Sequence, residues 1–129
     1  KTLKMRTTQK KEAGARFIQT QMIMDKKYLI DFCDEISKPL NLPVLAGVFL
    51  LKSYKNALFI NKFVPGANIP DQILNRLKES NNPGEEGINI AAEQVREFIA
   101  ISQGVHIMAV KSEHLIPEIL KRAEINLEY

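Results

Sequence analysis

Apolar residues recur along this chain with two different periods. Residues 16–22 alternate, with Phe17, Gln19 and Gln21 on one side and Ile18, Thr20 and Met22 on the other, the period of two of an extended chain. Residues 44–51 form a nearly unbroken apolar run interrupted by Gly47, as in a strand covered on both faces. Residues 105–110 alternate again, setting Val105, Ile107 and Ala109 against His106, Met108 and Val110. Elsewhere the spacing is helical. Residues 1–13 favour a helix with Leu3, Met5 and Ala13 as its apolar positions and Gly14 as its stop. Asp25 is placed to cap a helix whose Tyr28, Leu29, Phe32, Cys33 and Ile36 form a buried stripe, with Pro39 and Pro43 predicted to end it. Ser53 caps a helix to Phe63, Pro65-Gly66 marks a turn, and Pro70 opens a short helix with Ile73, Leu74 and Leu77 inward. After the loop Asn81-Asn82-Pro83-Gly84, the residues Ile88, Ala91, Ala92, Val95, Phe98 and Ile99 give the strongest helical stripe, ending near Gly104. A last helix from about Glu113 turns Leu115, Ile116, Ile119, Leu120 and Ala123 inward.

Strands separated by helices predict the α/β class, with right-handed crossovers and a parallel sheet. Three strands do not complete such a sheet: both outer strands are left unpaired, and six helices have little surface to cover. An eight-stranded βα barrel holds roughly 250 residues. The 129 residues therefore predict one partial domain, the C-terminal half of a (β/α)8 TIM barrel with strands near 16–22, 44–51 and 105–110. Open edges and bare barrel-facing side chains such as Phe17 and Met108 predict association into dimers or higher forms.

Composition narrows the setting. With 45% hydrophobic and 26% charged residues the chain reads as a folded domain, and its longest apolar run is far shorter than the roughly 20 residues of a membrane span. It begins at Lys1 without a start methionine or an apolar leader, which predicts an internal cut rather than a secretory signal. One cysteine, Cys33, and no Asn-x-Ser/Thr site predict a reducing, cytoplasmic location. Charge is unevenly spread. Residues 1–16 carry six basic side chains against Glu12 alone, which leaves 12 basic and 14 acidic groups for the rest. Such a segment suits nucleic acid or a phosphorylated small molecule, or it is simply a solvated helix face.

The chain lacks GxxxxGK, GxGxxG, HExxH, CxxC and GxSxG, which removes the usual kinase, Rossmann, zinc-protease and serine-hydrolase readings. No metal-ligand spacing joins His106 and His114, and His106 reads as a hydrogen-bonded core histidine. Cys33 reads as a small core residue. More informative is the triplet Gln19, Thr20, Gln21 at the C-terminal end of an otherwise apolar strand, the end that faces the active site in βα barrels. An amide there both donates and accepts, which suits the edge of a heterocycle; a solvent-exposed strand end would look the same.

Six segments stand in an order that resembles one family. They are Glu12-Ala13-Gly14-Ala15-Arg16-Phe17-Ile18-Gln19-Thr20-Gln21 followed by Asp25, Pro43-Val44-Leu45-Ala46-Gly47, Lys52-Ser53-Tyr54-Lys55-Asn56-Ala57, Val64-Pro65-Gly66 with Ile69-Pro70, Gly87 with Ala91-Ala92, and Val105-His106-Ile107-Met108-Ala109. Over residues 1 to about 122 the chain resembles the flavin-dependent methylenetetrahydrofolate reductases, and looks most like the branch found alone or fused behind a homocysteine methyltransferase module. The resemblance implies a βα barrel with FAD at its C-terminal mouth, this chain supplying the sixth to eighth strands. It implies reduction of 5,10-methylenetetrahydrofolate to 5-methyltetrahydrofolate by NAD(P)H through the flavin, in one-carbon metabolism and methionine biosynthesis. Gln21 matches the glutamine that hydrogen-bonds the pterin ring, and Lys10 a lysine that reaches the flavin's phosphate or ribityl region. Arg6 lies one turn earlier on the same helix face.

The family's acid that helps protonate the substrate and the aspartate near its flavin ring belong to the first and fourth strands. Neither falls in this chain, so no catalytic residue is expected here and the piece alone is expected to be inactive, unless it is part of a longer polypeptide or pairs with the missing N-terminal half. Leu3 and Gln9 depart from charged or polar flavin-contacting positions, and Val110-Lys111-Ser112 replaces a Leu-Asn-Arg whose arginine reaches the folate pocket. These departures leave room for a folate-binding methyl-transfer or accessory barrel without flavin. A basic nucleic-acid-binding module is the remaining rival, though no aromatic residues interleave the basic segment.

Overall fold

A computed structural model describes residues 2–125. Helix α1 (Thr2–Glu12) ends as Gly14 predicts: Gly14 adopts φ +111°, the Gly14 N–H reaches the Lys11 carbonyl and the Ala15 N–H the Lys10 carbonyl, a Schellman closure. Strand β1 (Ile18–Met22) follows, then α2 (Lys26–Phe32), capped by the Asp25 carboxylate, which accepts from the Lys27 N–H at 2.9 Å. Strand β2 (Val44–Phe49) leads to α4 (Tyr54–Phe63), where Ser53 Oγ accepts from the Asn56 N–H at 3.0 Å. Between α2 and β2 lies α3 (Lys38–Leu40). Helices α5 (Asp71–Glu79) and α6 (Pro83–Ile99), strand β3 (Gly104–Met108), the single turn Glu113–Leu115 and α7 (Ile116–Arg122) complete the described chain.

The strands form one parallel sheet in the order β1-β2-β3, with helices packed on it, the arrangement of a partial βα barrel. Each strand is shorter than its apolar run: 18–22, 44–49 and 104–108 pair where 16–22, 44–51 and 105–110 were expected. Leu50 and Leu51 leave the ladder and are buried at its C-terminal end.

One face of the sheet carries the main core. Val44, Ala46 and Val48 of β2 are fully buried there with Leu29, Ala91, Val95 and Phe98, and Ile18, Val105 and Ile107 pack against the same cluster. A second cluster at the strands' C-terminal end joins Leu51, Ala57, Ile60, Ile69, Leu74, Leu77 and Ile90, so α4, α5 and the loop between them sit as a cap beside that end. Arg76 ties α5 to α6 through two bonds to Glu93 and one to Glu86, each 2.8 Å. The opposite sheet face, bearing Phe17, Leu45, Phe49 and Met108, has no helix layer among the described residues, and Phe17 is 54% exposed.

Three expectations change. Pro39 does not end the second helix: α2 continues through a π-helical turn, Cys33–Ser37, into α3, and the helix ends at Asn41 in a left-handed conformation (φ 53°). The wider turn, in which the Lys38 N–H reaches the Cys33 carbonyl, spares the backbone the donor that proline lacks. Tyr28 leaves the buried stripe and is 53% exposed, stacked on the rim ring of Phe32. Leu3 and Met5 are exposed too, and Thr7 is the buried residue of α1.

Candidate functional site

Pro65 and Gly66 shape the loop beside the C-terminal end of β1. Gly66 takes φ +81° and the Ala67 N–H returns to the Val64 carbonyl at 3.2 Å, a tight turn of the kind a Pro-Gly pair favours. Asn61 then clamps the loop's far end, accepting from the Ile69 N–H at 2.8 Å and donating to the Ile69 carbonyl at 3.3 Å. This fixed loop presents the Pro65 carbonyl to the end of β1, where Gln21 Nε2 donates to it at 3.0 Å. The exposed Gln21 amide is thereby oriented, with one N–H and its Oε1 uncommitted among the described residues.

Strand β1 is not regular at this point. Gln19 pairs with Leu45 but Met22 with Gly47, so β1 spends three steps where β2 spends two. The extra residue makes a bulge at Thr20-Gln21. A Cβ at Gly47 would lie 2.6 Å from the Gln21 carbonyl oxygen and 2.9 Å from that of Thr20, so the strands approach this closely only because residue 47 has no side chain. The Gly47 N–H bonds to Thr20 Oγ1 at 2.9 Å, and half-buried His106, opposite Gly47 on β3, reaches the Thr20 carbonyl with Nε2 at 2.8 Å.

A groove of about 1640 Å³ runs from α1 along the free edge of β1 to this loop. It brings together all three residues singled out from the sequence: Gln21 at the strand end, and Arg6 and Lys10 one turn apart on α1. Lys62 of α4 also lines it, against Asp25 as the sole carboxylate in the lining. Among the described residues no carboxylate pairs with Arg6, Lys10 or Lys62, so the groove wall is net positive. Two cations on one helix face, an amide with free donor and acceptor, and apolar Phe17, Met22 and Tyr28 suit a flat polar ring system attached to an anionic tail.

Other positions stay outside. Lys111 is exposed in a left-handed turn (φ 58°) after β3 and does not line the groove, whereas Leu3 does and Gln9 does not. Cys33 is buried, and desolvation pushes its thiol above the usual range, as for an inert core residue. His106 is half-buried on the bare sheet face rather than in the core. Asn61 and Pro65, which orient Gln21, and the bridge from His106 to Thr20 carry no sequence signal beyond the turn pair Pro65-Gly66. Among the described residues there is no cluster of three metal-ligating side chains, and no helix is long and apolar enough to cross a membrane.

A search of curated proteins returns no match. The family profile described as methylenetetrahydrofolate reductase matches residues 1–124, nearly the whole length, and the chain belongs to the methylenetetrahydrofolate reductase family.

Proposed function

We propose that this chain is the C-terminal half of a reductase barrel that converts 5,10-methylenetetrahydrofolate to 5-methyltetrahydrofolate with NAD(P)H, in the cytoplasm. The observation that carries the reading is the fixed amide of Gln21 on the same groove as Arg6 and Lys10, which pair with no carboxylate among the described residues. Family membership supports it.

The donor set fits FAD. Its pyrophosphate needs cations without carboxylate partners, which Arg6 and Lys10 provide on successive turns of α1. Bound FAD supplies the hydride chemistry between nicotinamide and folate. The residues of this chain bind and orient. Gln21, with its remaining N–H and Oε1, matches the alternating donors and acceptors of a pterin edge, while the Pro65 carbonyl keeps the amide from rotating. Phe17, half exposed in the lining of the same groove, offers an apolar surface to a ring. The free edges of β1 and β3 are where the rest of the barrel joins, and where association into a homo-oligomer would begin in its absence.

Purified intact protein is expected to be yellow and to oxidise NADH or NADPH with an artificial acceptor; colourless protein inert toward both nucleotides refutes the reading. Replacing Gln21 by Leu should raise the KM for the folate about tenfold, the usual penalty for removing a polar partner of a ring edge.

A further inference from the structure

Resting on the folate reading above, we propose that His106 is a positioning residue for Gln21, acting through the Thr20 carbonyl across the bare face of Gly47. In a regular parallel ladder the N–H of a β2 residue would go to a β1 carbonyl. Here the Gly47 N–H goes to the Thr20 hydroxyl at 2.9 Å, and that hydroxyl in turn donates to the Gln21 carbonyl at 2.7 Å. The Thr20 carbonyl takes its donor from His106 Nε2 at 2.8 Å instead. A carbonyl only accepts, so Nε2 carries the proton. His106 reaches across β2 to β1 opposite Gly47, its register partner; a Cβ at 47 would lie 2.9 Å from the same Thr20 carbonyl oxygen that the ring reaches.

The bulge is therefore held from both other strands, by Gly47 of β2 and His106 of β3. Its consequence for Gln21 is large in kind. The side-chain period of a strand is two, so a β1 that loses its extra residue slips by one position and turns Gln21 toward the opposite face, away from Pro65 and the groove. A buried or half-buried carbonyl without a donor favours that slip. His106 does not line the groove itself; it decides where the amide points.

The test uses the intact protein with 5-methyltetrahydrofolate as the probe, in three variants: His106→Leu, His106→Gln and His106→Asn. A glutamine amide nitrogen reaches nearly as far as Nε2, whereas an asparagine stops one bond short. The dissociation constant should rise about tenfold in His106→Leu and in His106→Asn and stay within about twofold of wild type in His106→Gln, the loss expected of one well-placed hydrogen bond. The ¹⁵N shifts of the His106 ring should show Nε2 protonated. A folded His106→Leu protein that binds with wild-type affinity overturns the proposal, as does a ring protonated on Nδ1 alone. If His106→Leu fails to fold, the pair His106→Gln and His106→Asn decides: equal affinities overturn the proposal, a loss confined to asparagine supports it. Wild-type protein that binds no 5-methyltetrahydrofolate takes down the folate reading and this proposal together, which is distinguishable from wild-type binding that ignores residue 106.

Discussion

Adding one methyl group at Gly47 should cost more than its size suggests. The new Cβ of Gly47→Ala would meet the Gln21 carbonyl oxygen at 2.6 Å, its carbon at 2.9 Å and the Thr20 carbonyl oxygen at 2.9 Å, where ordinary contact begins at 3.4 Å. All three atoms are backbone, so no side chain can swing aside. Separating β1 from β2 enough to relieve this breaks the Gly47 N–H bond to Thr20 Oγ1 and the Ile23 N–H bond to the Gly47 carbonyl, both 2.9 Å. Two hydrogen bonds at about 1 kcal/mol each, with overpacking strain of about 1–3 kcal/mol, give a loss of about 3–5 kcal/mol. Urea unfolding of the intact protein measures it as a lower midpoint at unchanged slope. Gly84→Ala is the control: the nearest atom to its Cβ is Asn82 Oδ1 at 3.7 Å, and it sits in the first turn of α6, where alanine should add about 0.5 kcal/mol. A loss below about 1 kcal/mol at Gly47, or equal losses at both glycines, refutes the close-approach explanation.

Two further predictions test the frame around the site. Ser37→Ala should destabilise by about 1–2 kcal/mol in the same unfolding assay, because the buried Ser37 hydroxyl donates to the Leu42 carbonyl at 2.6 Å and its loss leaves that buried carbonyl without this donor. The Arg76 guanidinium holds the Glu86 carboxyl below its usual value, so unfolded Glu86 takes up a proton more readily than folded Glu86 as the pH drops. The stability from this pair is thus present in full above the ordinary value of 4.5 and lost as pH falls through the lower folded one. Wild type minus Arg76→Met, followed by denaturant unfolding from pH 7 downward, should shrink over that acid range; a difference that stays constant would show that the ion pair is not its source.

Local rules reached far here because the signals were local. Asp25 and Ser53 cap helices with their own side chains, Gly14 and Gly66 adopt the positive φ that marks a stop and a turn, and the stripe from Ile88 to Phe98 is long enough to fix a helix. The π-helical turn at Cys33–Ser37 left no such mark, since a helix pattern with one extra residue resembles a helix pattern with a proline stop. The bulge in β1 was equally silent, because five residues of alternation are too few to show a one-residue slip. Gln21, Lys10 and Arg6 were visible as residue types, but their convergence on one groove arises only once the fold sets α1 and the end of β1 along the same wall. Asn61 acts through Ile69, Pro65 through Gln21 and His106 through Thr20; the last two pairs lie 44 and 86 residues apart, where periodicity carries no information.

Helix α1 carries a thermodynamic consequence of its own. Its Schellman closure and the Lys11 ammonium, which donates to the Leu40 carbonyl, moor its C-terminal end, yet the buried side chain it contributes is Thr7, whose hydroxyl folds back on the Leu3 carbonyl. A helix so lightly moored draws little of its order from the interior. Neutralising Arg6 and Lys10 with a polyanion then does two jobs at once, occupancy and annealing, so affinity for the anion and slowed amide exchange in residues 2–12 should rise and fall as one equilibrium.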